Sequence, residues 1–191
     1  MSTEKIKGYW VSPGHGNGKA LLVLHAWWGL NETIKGFCKR LGDEGYLVFA
    51  PDLYDGKVTD TIPMAEKLSN DLFLDYEGAA EHVRRAAQAL LHEMEQPGKG
   101  MGVIGFSLGA PFGLELSVKM PEVVKSVVVF YGSWALDYSD SNAAYLGHFA
   151  EQDEFEPGEN VREFEESLKV GGRPAKIYIY PGTGHWFMEP D

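Results

Sequence analysis

An α/β fold is predicted: one domain on a mostly parallel central sheet of about seven strands, flanked by helices. Three observations point to it. Short runs that are almost wholly apolar, such as Ala20-Leu21-Leu22-Val23-Leu24, recur along the chain. They lack the polar alternation of a half-exposed strand and so read as strands buried on both faces of a parallel sheet. Between them lie stretches with apolar residues at helical spacing, and no shift in composition divides the 191 residues, a length suited to a single domain spanning 1–191.

Taken in order, Ile6 to Val11 reads as a short edge strand. The Gly-rich stretch Pro13 to Lys19 reads as a hairpin turn into the strand Ala20 to His25. Gly14 to Lys19 has a superficial likeness to a phosphate loop, but it precedes its strand, and Ala20 stands where a hydroxyl would bind magnesium. Asn31 can cap a helix bearing Ile34, Phe37, Cys38 and Leu41 on one face, which makes Cys38 a small core residue. The next strand, Tyr46 to Ala50, ends at Pro51-Asp52, and a short helix carries the chain to Asp75. Tyr76, Ala79, Ala80, Val83, Ala87, Leu90 and Leu91 mark a long helix closed by Pro97-Gly98. Gly100 to Gly105 matches G-x-G-x-x-G, yet it lies inside a strand rather than after one, which argues against dinucleotide binding. Strands follow at Ser126–Tyr131, Ala144–Ala150 and Ala175–Tyr180. Asn160 with Glu163 has the form of a capping box for the helix between the last two.

Composition narrows the function. A formal net charge of −11 argues against nucleic acid and anionic membranes as partners. The single cysteine excludes an internal disulfide framework and fits a reducing compartment. No apolar leader follows Met1, and no run approaches a membrane span. The expectation is a soluble, cytoplasmic protein. Histidines are scattered and Cys38 has no partner, so neither a metal nor a cofactor is expected.

The chemistry centres on Gly105-Phe106-Ser107-Leu108-Gly109, which follows an apolar strand and precedes a helix. That context makes G-x-S-x-G a nucleophile elbow, a strained turn that needs small residues two positions either side of the Ser. The Leu108 N–H then faces the space where an oxyanion would form. A serine hydroxyl is a poor nucleophile without a base to take its proton. His185 follows the last strand, behind the flexible glycines Gly182 and Gly184, and an acid is offered by the loop after Ala150, where Asp153 is the leading candidate and Glu151 the alternative. His25 ends an early strand near the site and reads as a structural or oxyanion-loop residue. The loop after it offers the Trp27 N–H as a second oxyanion donor. Tryptophans more often pack in a core, but Trp27 and Trp28 beside the site are also candidate pocket walls.

The chain resembles the dienelactone hydrolase family, compact α/β-hydrolases without a lid domain. Leu24-His25-Ala26-Trp27-Trp28-Gly29-Leu30-Asn31 is similar to the family's first-loop motif, and Pro51-Asp52-Leu53-Tyr54 matches its Pro-Asp-Leu-Tyr signature. Gly105–Gly109 falls at its G-x-C-x-G elbow and Gly184-His185-Trp186-Phe187 at its Gly-His segment. The resemblance implies a Ser107–His185–Asp153 triad, with serine where the type enzymes have cysteine. Their proton-managing glutamate falls on Ala26, a change consistent with a serine nucleophile. Four residues beyond the histidine, where they carry a substrate-binding arginine, stands Glu189, which would repel an anionic substrate. With Trp28, Phe106, Trp134, Trp186 and Phe187 among the candidate walls, the expected substrate is a neutral, small to medium ester or lactone. The family usually continues into a closing helix. Without one the sheet would carry an apolar groove that a second subunit, as in a homodimer, or a local rearrangement would fill. The competing functions are a thioesterase or lipid esterase on the same triad, and a non-catalytic binding module.

Overall fold

The computed structural model describes residues 6–16 and 18–189. The reading of Met1 to Lys5 for a leader, and that of the chain's end at Asp191, fall outside them.

Among the described residues seven strands form one sheet: β1 (Gly8–Val11), β2 (Ala20–Leu24), β3 (Leu47–Pro51), β4 (Met101–Phe106), β5 (Val124–Phe130), β6 (Ala144–Gln152) and β7 (Ala175–Gly184). Their order is β1-β3-β2-β4-β5-β6-β7. β1 runs antiparallel to β3, and every other pairing is parallel. One expectation is corrected here. Pro13 to Lys19 is not a hairpin turn, because β1 pairs with the outer edge of β3 and not with β2. The physical reason lies in β2, whose apolar run is sealed by parallel neighbours on both edges, leaving β1 only the far side of β3.

Among the described residues five α-helices join the strands: α1 (Glu32–Asp43), α2 (Ile62–Leu74), α3 (Tyr76–Glu93), α4 (Gly109–Lys119) and α5 (Gly158–Val170). Asn31 caps α1, its side chain accepting from the Ile34 N–H at 3.1 Å, and Asp75 caps α3 through Gly78. The expected capping box of Asn160 and Glu163 is also corrected. Helix α5 begins at Gly158 behind Pro157, whose carbonyl accepts from the Asn160 N–H, so Asn160 sits within the first turn. Pro157 has no N–H to satisfy and a preset φ of −63°, which opens the helix earlier than a side-chain cap would.

Two apolar clusters sandwich the sheet. The larger gathers Leu22, Phe49, Val83, Leu90, Phe112 and Phe164 from β2, β3, α3, α4 and α5. The other lies under α1, where Ile34 and Cys38 meet Val23, Phe106 and Phe130, with Trp186 to Met188 packed against it. Cys38 is fully buried, and burial pushes its thiol up to about 12, the behaviour of an inert core residue. Among the described residues no helix is long and apolar enough to cross a membrane.

The sequence order of the strands reverses between β2 and β4, so the loops leaving their C-terminal ends diverge and open a crevice. His25 fixes the near wall of that crevice. Its buried ring donates from Nδ1 to the Ala26 carbonyl at 2.8 Å and accepts at Nε2 from the Leu53 N–H at 3.1 Å. Both nitrogens are committed to backbone, and burial lowers the ring's basicity, so His25 is a neutral brace between the ends of β2 and β3. Asp52 tightens the same corner by accepting from the N–H groups of Tyr54 and Gly56.

Candidate active site

The elbow joins β4 to α4 at the crevice. Ser107 holds φ of 43°, a left-handed conformation that costs a non-glycine residue about 1–3 kcal/mol. Its neighbours enforce it. A Cβ at Gly105 would come 2.7 Å from Ala110 Cα, and one at Gly109 would come 2.6 Å from the Leu24 carbonyl oxygen. Only glycine lets the strand, the helix and β2 approach this closely. The Ser107 N–H donates to the Phe130 carbonyl at 2.9 Å, which ties the turn to β5.

Three side chains from separate loops meet there. Ser107 Oγ lies 2.9 Å from His185 Nε2, and His185 Nδ1 lies 2.9 and 2.8 Å from Asp153 Oδ1 and Oδ2. The side chains of His185 and Asp153 are 6% and 2% exposed, so the pair is shielded from competing water. With Nδ1–H donating to the carboxylate, Nε2 is left to accept from the serine hydroxyl. Asp153 Oδ1 also accepts from the Phe155 and Glu156 N–H groups at 3.0 and 2.9 Å, which locks the carboxylate's orientation. Burial lowers His185 below the ordinary histidine value, and the Asp153 hydrogen bond and charge oppose that in part. Glu151 stands apart from these three side chains. Its Oε2 accepts from the Gly182 N–H at 2.9 Å, which braces the loop of His185.

A cavity of about 240 Å³ stands over these groups, lined by Trp27, Ser69, Phe73, Ser107, Leu108, Phe155, His185 and Trp186. Among the described residues the lining contains no Lys or Arg. Trp27 and Trp186 stack with centroids 6.1 Å apart, and Phe155 packs on Trp186 at 5.0 Å. Among the described residues, neither the Trp27 N–H nor the Leu108 N–H donates to a protein acceptor. Leu108 also precedes the N-terminus of α4, where the helix dipole favours negative charge.

Four expected walls lie elsewhere. The Phe106 ring is 1% exposed and stacks at 4.8 Å on Phe130 in the core under α1, because alternation along β4 sends it to the face opposite Ser107. Trp134 packs edge-on against Tyr76 at 5.5 Å, and its carbonyl accepts from the Tyr138 hydroxyl. Trp28 stands behind the lining, against Trp27 and Trp186. Phe187 likewise packs on Tyr131 and Tyr180, outside the lining. Glu189 does not face the cavity either. Its carboxylate accepts from the Tyr131 hydroxyl at 2.8 Å, so the expected repulsion of anions from this residue has no structural basis. Sequence reasoning misses Ser69, Phe73 and Phe155 as lining residues. Of these, Phe155 alone carries a signal in the chain, two residues beyond the acid.

A parallel sheet with a strained serine elbow at a switch point and a histidine loop after the last strand defines an α/β-hydrolase. The chain belongs to the dienelactone hydrolase family, whose model matches residues 6–191. It is 31% identical over 191 residues to Protein usf of Aquifex pyrophilus, a match covering 96% of this chain and 82% of that one. Among solved structures it is similar to the dienelactone hydrolase-like promiscuous phosphotriesterase P91 from metagenomic libraries, at a TM-score of 0.75 and 22% identity over 97% of this chain and 85% of that one. Esterase PE8 superposes at a TM-score of 0.74 and 16% identity, covering 95% and 91%.

Proposed function

We propose that the protein is a serine-dependent hydrolase of small to medium neutral carboxylic esters or lactones, acting through an acyl-enzyme. The observation that carries this reading is the continuous hydrogen-bonded chain from Ser107 through His185 to Asp153 at a cavity. Ser107 Oγ attacks the carbonyl carbon while His185 Nε2 takes its proton, and Asp153 stabilises the imidazolium that forms. The Trp27 and Leu108 N–H groups receive the oxyanion. His185 then gives the proton to the departing alkoxide, leaving an acyl group on Ser107. Water repeats the attack with His185 again as base, releasing the acid and restoring the serine. This cycle has no use for a glutamate at Ala26, which is itself fully buried.

Neutral substrates follow from the walls. Aromatic rings supply apolar contact, no Lys or Arg among the described residues lines the cavity to hold a carboxylate, and the chain's net charge of −11 opposes anions from a distance. A matched panel of p-nitrophenyl esters differing only in a terminal carboxylate tests this. We expect kcat/KM for the neutral member to exceed that for the anionic one by about tenfold or more. A preference for the anionic member, or for dienelactone, would refute the assignment of substrate class.

A further inference from the structure

Behind His185 lies a second constellation that this chemistry does not use. Glu189 closes a tight turn, its N–H donating to the Trp186 carbonyl at 2.7 Å, and Trp186 holds φ of 63°. The Glu189 side chain reaches the end of β5, where Oε1 accepts from the Tyr131 hydroxyl at 2.8 Å. Oε2 is shut off from solvent and has no hydrogen-bond partner among the described residues. Tyr131 is itself fully buried, with φ of 39°, and its N–H donates to the His148 carbonyl at 2.8 Å. Its ring centroid lies 4.8 Å from that of His185 and 5.2 Å from that of Phe187. Phe187 and Met188 pack on the apolar cluster under α1. One hydrogen bond therefore ties the turn after His185 to a strand end adjoining the elbow.

We propose that Glu189 is a positioning residue which, through Tyr131, holds the His185 loop in register with Ser107 and does so in its uncharged form. The inference rests on His185 acting as the base. Tyr131 is the titratable group bonded to the carboxyl, and His185, packed on the Tyr131 ring, is the next at hand. The rest of the turn presents Trp186, Phe187 and Met188. An ionised carboxylate here has one donor among the described residues, where water would give it several. Released into water, the group ionises above its ordinary 4.5; seated, burial keeps it neutral up to about 7. The seated turn therefore loses stability relative to the open one as pH climbs from 4.5 to 7, and no further beyond.

Hydrogen exchange of the 186–189 amides, corrected for intrinsic rates, reads this directly. Wild-type protection should fall by about threefold or more between pH 5 and 7.5. Glu189→Gln, which keeps an acceptor for Tyr131 but cannot ionise, should stay flat, and Tyr131→Phe should be less protected at both ends. In ester turnover at pH 7, Tyr131→Phe and Glu189→Ala should lower kcat by roughly ten- to a hundredfold with little change in KM, and Glu189→Gln should restore it. Wild type and Glu189→Gln titrating alike in exchange would overturn the proposal. So would wild-type kcat in both Tyr131→Phe and Glu189→Ala while Ser107→Ala is inactive. Activity surviving in Ser107→Ala would instead refute the catalytic reading, and the exchange comparison would still decide the role of Glu189.

Discussion

Ser107→Ala should lower kcat for a small p-nitrophenyl ester by about 10⁴-fold or more, the cost of removing a triad nucleophile. The loss is one of chemistry and not of fold. Among the described residues Ser107 Oγ bonds His185 alone, while the backbone N–H that anchors the elbow, donating to Phe130, is untouched. Alanine is also the smallest side chain that keeps a Cβ at the φ of 43° already tolerated there. Thermal melting should therefore match wild type, and KM should change little because the aromatic walls remain. Full activity in this variant would end the serine reading.

Asp153→Asn should cost about 10⁴-fold in kcat, although it preserves size and most hydrogen bonds. The reason is orientation. Oδ1 of Asp153 accepts from the Phe155 and Glu156 N–H groups, and an asparagine would keep its single oxygen there. Its NH₂ would then occupy the place of Oδ2, 2.8 Å from His185 Nδ1, and donate to it in competition with the retained oxygen, which lies 2.9 Å away and is already engaged by two backbone N–H groups. The imidazole would carry its proton on Nε2 and could no longer accept from Ser107. In wild type, kcat/KM should rise with pH through a value below 6.5, since burial lowers His185 and only the neutral ring is a base. Asp153 raises that value in part, so Asp153→Asn should move the acid limb lower still. Comparison of the two pH–rate profiles checks both the size of the loss and its direction in pH. A variant with wild-type kcat would return Asp153 to a structural role.

The sheet is legible in the sequence because its strands announce themselves. Runs such as Val103-Ile104 in β4 and Val127-Val128-Val129 in β5 are apolar on both faces, as only a central parallel strand requires. The partners of the elbow are legible for a related reason: loops at strand C-terminal ends converge, so the residues following β6 and β7 have to approach Ser107. Pairing at the edge is not legible. Nothing local in Gly8 to Val11 says whether it joins β2 or β3, and the choice follows from β4 having taken the other side of β2. The cavity walls are legible least. Phe106 adjoins Ser107 in sequence, yet period-two alternation turns its ring into the core, a fact the sequence contains and proximity obscures. Phe73 enters from α2 by tertiary packing alone. Glu189 reads in the sequence as a charge in the pocket, whereas burial and Tyr131 make it part of the frame behind it.

Activation of Ser107 as a nucleophile can be read in a single reaction, that with a fluorophosphonate. Oγ bonds to phosphorus as fluoride departs and His185 takes the proton, and mass mapping then locates the adduct. Stoichiometric modification of Ser107 is expected, abolished in Ser107→Ala and strongly slowed in Asp153→Asn. An unmodified Ser107 in the folded protein, or an adduct carried on another residue, would show that Ser107 is not the nucleophile.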